Sequence, residues 1–301
     1  MDLRVLLKRS KKKRWDLFFL ILPLMILMVA FCYVPLAGWY FAFIEYRVGT
    51  PILQCKFIGL DNFARLFRTT AFVRAFKNTL IFSSAKYVML VCPAAFAILF
   101  NEIPNLRFRK IVQTTSTLPY FISWVIVYGL TYALFSSEGP INQILALFGK
   151  SQNLLIDRDR TYLFQSILYL WKMLGWNSII YVAAIAGIDP QLYEAASIDG
   201  AGHFRQAWHI TVPGILPTFV VLMLLGVADF VNNSMDQYYV FQNAMVYNKI
   251  ETLELYTYKQ GIRLMDYSFA TAVGIFKSVI CITLLFVTNA VAKKVRGESI
   301  I

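Results

Sequence analysis

The sequence is short of charge. Asp, Glu, Lys and Arg make up 15% of its 301 residues, where soluble domains carry about 25%. A soluble fold of this length buries a large core and needs a polar surface to cover it. This chain lacks the residues for one, which excludes an ordinary water-soluble domain. Cysteine stops at four and histidine at two. Cys32, Cys92 and Cys281 fall in apolar stretches and Cys55 in a loop, so there is neither a disulfide framework nor a ligand-spaced set. His203 and His209 are six apart, off register for one helical face and without cysteine partners, which argues against a metal site. Acid–base catalysis has no convincing carboxylate pair and no nucleophile–His–carboxylate set to rest on. "FGKS" at 148–151 looks like the end of a phosphate-binding loop, but such a loop needs glycine five positions before Gly149, and Ile144 stands there.

Apolar residues are plentiful at 58%, and the formal net charge is +12. A basic balance also suits nucleic acid, but the placement of the charge points elsewhere. Seven of the 29 basic residues lie in the first fourteen positions: Arg4, Lys8, Arg9, Lys11, Lys12, Lys13 and Arg14. An apolar run from Leu17 to Ile44 follows directly. Basic residues there hold a cytoplasmic end. The run is far longer than the roughly 7–15 residue core of a signal peptide, and no small-residue cleavage site stands out. It is expected to remain as a first span, with lipid as the solvent and no nucleic-acid partner.

A bilayer-crossing helix takes about 20 mostly apolar residues. Six segments qualify, at about 17–44, 78–100, 111–135, 162–188, 214–235 and 268–292, which predicts an all-α, polytopic membrane protein with six transmembrane helices. Kinks are expected at Pro23, Pro35, Pro93 and Pro119. Arg107, Arg109 and Lys110, and Lys293, Lys294 and Arg296, crowd short segments beside spans. The positive-inside rule then places both termini, and the segment between spans four and five, in the cytoplasm. Loops 45–77 and 236–267 fall outside, with helical patterns in "FIGLDNFARLF" and "NKIETLELYTYKQGI". The expected organisation is a basic N-terminus, first helix and outer loop over 1–77, a transmembrane core over 78–292 and a short tail over 293–301.

One polar stretch interrupts this pattern: "EAASIDGAGHFRQAWHITVP", residues 194–213. Asp189 can cap a short helix and Pro190 suits its first turn. Gly200 and Gly202 stop it, since glycine accepts left-handed backbone angles. Phe204, Trp208 and Ile210 repeat on a second helical face, which Pro213 is expected to close. The plainest reading is a loop that joins two spans.

The spacing says more. Glu194-Ala195-Ala196, three residues, Gly200, nine residues, Ile210, one residue, then Val212-Pro213 resembles the signature loop of ABC importer permeases, with Val212 where leucine is usual. Asp199-Gly200-Ala201 and Pro217 fit the same pattern. The resemblance covers about residues 78–292. The flanks "WKMLGWNSIIYVAAIAGIDPQLYEAASIDGA" and "YVPLAGWYFAFIEYR" look like the carbohydrate-uptake branch, the maltose-type and especially the complex-oligosaccharide permeases. The resemblance implies a type I ABC importer permease fold in a bacterial cell membrane. It implies that loop 189–213 docks as a coupling helix on a cytoplasmic ATPase through Glu194, Ala195, Ala196, Asp199, Gly200, Ala201, Ile210 and Pro213. The partners it implies are a second homologous permease, two ATPase copies that hold ATP and Mg, an extracellular sugar-binding protein and an oligosaccharide. This chain would bind no cofactor and catalyse nothing, and transport would proceed by alternating access.

Charges inside the spans are the second signal. Lys86, Lys172, Asp229 and Lys277 lie in apolar segments, where a central charge costs about 2.5–3.5 kcal/mol on insertion scales and tends to face a cavity. Lys86 and Lys277 read as snorkelling residues. Lys172 reads as lining a path and can pair with Asp229. The expected substrate path comprises Lys172, Trp176, Asn177, Asp229, Asn232, Asn233, Gln237 and Tyr238, because planar polar groups beside aromatic faces suit sugars. Three lysines against one aspartate make a mildly cationic path, hence the expectation of an acidic cargo such as a uronate-containing oligosaccharide. The rival class is an ion-coupled secondary transporter or channel working through the same charges; such a protein needs no docking handle.

Overall fold

The computed structural model describes residues 18–149 and 153–296. The basic cluster at 4–14, Lys150 and Ser151 of "FGKS", and tail residues 297–301 lie outside the described residues. The chain forms two compact units. One holds the chain up to Leu66 together with Lys259–Ile275; the other holds Phe67–Tyr258 together with the chain from Phe276 on.

In the first unit, α1 (Phe18–Phe43) has none of its apolar window buried, as expected of a helix whose solvent is lipid. It widens to a π-turn at Val29–Tyr33 and tightens to 3-10 geometry over Val34–Phe43, around Pro35. A short hairpin follows: β1 (Ile44–Glu45) pairs antiparallel with β2 (Lys56–Phe57). Next comes α2 (Asp61–Arg68), the surface helix read from "DNFARLF". Ala42, Ala272 and Ile275 form the unit's small core. Asn62 ties it together by donating to the Ala42 carbonyl at 2.9 Å, and Arg65 meets Asp266 at 2.8 Å.

The second unit carries the bundle. Helices α3 (Thr70–Val88) and α4 (Val91–Asn101) run as one span with a break at Met89 and Leu90. Asn105 caps α5 (Leu106–Phe121) by accepting from the Arg107 and Phe108 amides. The third expected span is broken: α5 and the stretch Trp124–Leu147, which contains α6 (Trp124–Phe135) and α7 (Pro140–Leu147), are bent by 106° to one another. Ser123 caps the second half at the Ile126 amide. Then follow α8 (Thr161–Ala186), α9 (Pro190–Ile198) and α10 (His203–Val227). Five helices among the described residues are long and apolar enough to cross a membrane, or six if the bent pair counts as one.

Two expectations need correcting. The fifth span does not start near 214, because Pro213 does not close a separate helix. A π-turn over Ala207–Thr211, with the Val212 amide bonded to the Ala207 carbonyl, precedes the proline. The wider turn relieves the crowding between a proline ring and the carbonyl four residues back, so the helix runs through. The segment 236–267 is also more than a loop with one helical stretch. Within the second unit, α11 (Met235–Phe241), α12 (Tyr247–Ile250) and α13 (Leu253–Tyr258) pack into the bundle. Tyr238, Phe241, Ile250 and Leu255 share a core with Phe82, Trp124 and Phe164. Buried polar groups fix this insertion. Asn78 donates to the Asn248 and Glu251 carbonyls at 3.0 and 2.9 Å, the Thr79 hydroxyl accepts from the Leu253 amide at 2.7 Å, and buried Glu251 pairs with Arg74 at 3.2 Å. The last span, α14 (Tyr267–Arg296), begins in the first unit and ends in the second.

α8 lies against α5 through a glycine. A Cβ at Gly175 would stand 2.2 Å from the Ser116 carbonyl oxygen and 2.7 Å from the Thr117 amide nitrogen, and backbone cannot step aside as a side-chain tip can. Gly175→Ala is therefore expected to force α5 and α8 apart at about 1–3 kcal/mol. Thermal unfolding of the purified protein should show this as a lowered midpoint.

Candidate functional site

The polar stretch folds as a braced elbow. Asp189 accepts from the Gln191 amide at 3.0 Å and Pro190 opens α9. The helix ends on Gly200 at φ +74°. There the Ala201 amide reaches back to the Ala196 carbonyl at 2.8 Å and the Gly200 amide to the Ser197 carbonyl at 3.1 Å. This pairing satisfies carbonyls that a helix end leaves free. Gly202 then starts α10. Gln206 spans the bend, donating to Ser197 Oγ and the Ala201 carbonyl, both at 2.9 Å. The Tyr193 and Thr211 hydroxyls meet at 2.9 Å, and His203 meets Glu102, at the end of α4, at 2.9 Å.

The elbow is stiff and at the same time bare. No residue of α9 is buried. Ile198 is 86% exposed, Phe204 84% and Trp208 62%. Glu194, Ala195 and Asp199 are also exposed, while Ala196, Ala201 and Ile210 are half-buried beneath them and Pro213 faces outward.

The residues expected along the substrate path divide. Asn177, Asp229, Asn232 and Asn233 line one cavity of about 240 Å³ between α3, α8 and the end of α10. Asp229 is exposed and accepts from Asn232 at 2.7 Å. Asn233 is buried and donates to Ser83 Oγ at 2.8 Å. Trp176 is exposed and stacks on Tyr120 at 4.2 Å between ring centroids. Gln237 and Tyr238 are buried: Gln237 donates to the Gln165 carbonyl and side chain at 2.8 and 2.9 Å, and Tyr238 packs on Phe82.

Lys172 neither lines the cavity nor pairs with Asp229. It is 4% exposed, and its ammonium donates to the carbonyls of Pro119 and Tyr120, at 2.8 and 2.9 Å, and of Ile122. Three donors meet three carbonyls at the C-terminal end of α5, where a helix presents unpaired carbonyls and favours a cation. Lys277 is matched as well, by Glu254 on α13.

The lysine at the cavity is Lys86. Its ammonium donates to Asn233 Oδ1 at 2.5 Å and lies 4.3 Å from the centre of the Tyr169 ring. A signal for it exists in the sequence. Ser83, Lys86 and Tyr87 recur at helical spacing on α3, as do Tyr169, Met173 and Asn177 on α8, and all of them line the cavity.

A multi-span helical bundle, broken at its third span and carrying a capped, solvent-open elbow between its fourth and fifth, has the architecture of an ABC importer permease. The chain belongs to the family of binding-protein-dependent transport system inner membrane components, whose model matches residues 89–297. Over 98% of its length it is 37% identical to the polygalacturonan/rhamnogalacturonan transport system permease protein YteP of Bacillus subtilis (strain 168), of which it covers 96%. Protein LplB of the same organism is 35% identical over 96% of this chain and 92% of its own length. Among solved structures, a chain of a bacterial alginate ABC transporter, crystallised with its alginate pentasaccharide-bound periplasmic protein, superposes with a TM-score of 0.87 at 30% identity, over 97% of this chain and 99% of that one. The protein is a multi-pass inner membrane permease, the transport component rather than the catalytic subunit, and binds no cofactor of its own. Membership in this family decides against the ion-coupled alternative.

Proposed function

We propose that this permease forms half of the translocation path of an ATP-driven oligosaccharide importer and is moved through its elbow. In this reading α9 and the turn at Gly200 dock on a cytoplasmic ATPase subunit, with both chain termini on the same side. A second homologous permease supplies the other half of the path, two ATPase copies bind ATP and Mg, and an extracellular sugar-binding protein delivers cargo. Residues 78–292 act as the transporting core. The carrying observation is the elbow itself. Ile198, Phe204 and Trp208 are held out in water by a braced turn, and exposed apolar groups grouped in this way mark an interaction surface.

Cargo chemistry is supported by the relatives, two of which are named for polygalacturonan or alginate transport. The count of three membrane lysines does not support it, because Lys172 and Lys277 are spent on carbonyls and on Glu254. The reading is tested by purifying the tagged chain from its native membrane. An ATPase and a second permease are expected to come with it, and proteoliposomes of the complex are expected to take up galacturonide oligomers only with binding protein and ATP. Isolation of the chain alone, with uptake that needs no nucleotide, would remove the proposal.

A further inference from the structure

We infer that the cavity beside α3 and α8 is a half-site for a single carboxylate-bearing sugar ring, and that Lys86 is the residue that reads the carboxylate. The inference rests on the oligosaccharide reading above and deepens it. Lys86 sits in a membrane span, where an ammonium without an anion is costly, and yet among the described residues no carboxylate pairs with it. Lys277 shows the alternative, a membrane lysine neutralised by Glu254. Asp229 lines the same cavity but is engaged with Asn232.

The ammonium is also held in place. Asn233 accepts from it and is itself fixed by Ser83, which leaves donors for a ligand, while the Tyr169 ring lies against the cation. A uronate ring matches these groups one by one. Its carboxylate takes the free donors of Lys86 in a charge-assisted hydrogen bond. Its hydroxyls donate to Asp229, and its C–H face lies on an aromatic wall. One cation facing one anion sets the charge of the ligand: Asp229 weakens the hold on any anion, and a phosphate dianion would find a single ammonium while being repelled by Asp229 about twice as strongly as a uronate. A cavity of about 240 Å³ is smaller than the roughly 300–1,000 Å³ of drug-sized sites, which suits one ring of a chain at a time.

The test compares trigalacturonate with its fully methyl-esterified form, which keeps rings and linkages and loses the charge. The complete importer is reconstituted in liposomes, and kcat/KM for uptake is measured for both. Wild type is expected to prefer the acid. Lys86→Gln is expected to lower the acid-to-ester ratio about tenfold or more, and Lys86→Arg to keep most of it. An unchanged ratio in Lys86→Gln overturns the inference while leaving the oligosaccharide reading intact. Wild-type vesicles that take up neither compound remove that reading and the inference together. If Lys86→Gln does not assemble, Asp229→Asn reads the same field from the opposite wall: the ratio should rise, and a ratio that stays put overturns the inference.

Discussion

Gly200→Val is expected to cut uptake at least about 5–30-fold while the protein still inserts in the membrane. Gly200 holds φ +74° with nothing within 4 Å of where a Cβ would stand. The substitution therefore meets no wall inside this chain and acts only on backbone conformation. A left-handed angle costs an L-residue about 1–2 kcal/mol, enough to deplete the bent form about 5–30-fold, and a β-branched side chain suffers most. Losing the bend releases the Ala201–Ala196 and Gly200–Ser197 hydrogen bonds and swings Phe204 and Trp208 away from α9. Membrane abundance should be unchanged, uptake should fall by at least that factor, and ATP hydrolysis by the assembled complex should no longer respond to cargo. Gly202→Ala is the control: Gly202 has φ −70° and open space, so uptake should survive it. Equal loss in both variants would place the effect outside the bend.

Lys172→Met is expected to be the most destabilising single change in the bundle. The ammonium satisfies the Pro119, Tyr120 and Ile122 carbonyls at the break of the third span. Methionine fills similar space and donates nothing. The Pro119 carbonyl keeps the Ile122 amide at 3.3 Å, but the Tyr120 and Ile122 carbonyls lose their charged donor at about 1–3 kcal/mol each, and the positive charge opposite the end of α5 is lost too. The bend of 106° between α5 and the stretch from Trp124 on would lose its pin. A drop of several degrees or more in the unfolding midpoint of the detergent-solubilised protein checks this. The acid-to-ester uptake ratio of any surviving protein should match wild type, since Lys172 does not face the cavity; a shifted ratio at unchanged stability would return it to the path.

The contrast between Lys172 and Lys86 shows how much of the site was legible. Both are lysines in apolar helices, and sequence alone cannot say which way a long side chain turns. In sequence Lys172 looks like a path residue, but its partners are backbone carbonyls about fifty positions earlier. Backbone groups carry no residue-type signal. Lys86 looks like a snorkelling residue in sequence, although Ser83 and Tyr87 at helical spacing beside it mark a polar face. Burial of 236–267 was hidden for a related reason: Glu251 and Glu254 look like residues of a wet loop until Arg74 and Lys277 are seen opposite them. The elbow was legible because its structure is local. Asp189 caps, Pro190 starts, Gly200 turns, and the backbone hydrogen bonds of the turn are local, from Gln191 to Asp189 and from Ala201 to Ala196. Pro213 misled, because a π-turn just before it let the helix continue.

The sidedness and occupancy of the elbow can be read directly. Phe204→Cys, made with the four native cysteines replaced, is labelled with a membrane-impermeant maleimide in right-side-out and inside-out vesicles, with and without the ATPase stripped away. The account predicts labelling only from the cytoplasmic face, and only once the ATPase is removed. Labelling from the outer face, or labelling that the ATPase does not slow, would contradict it.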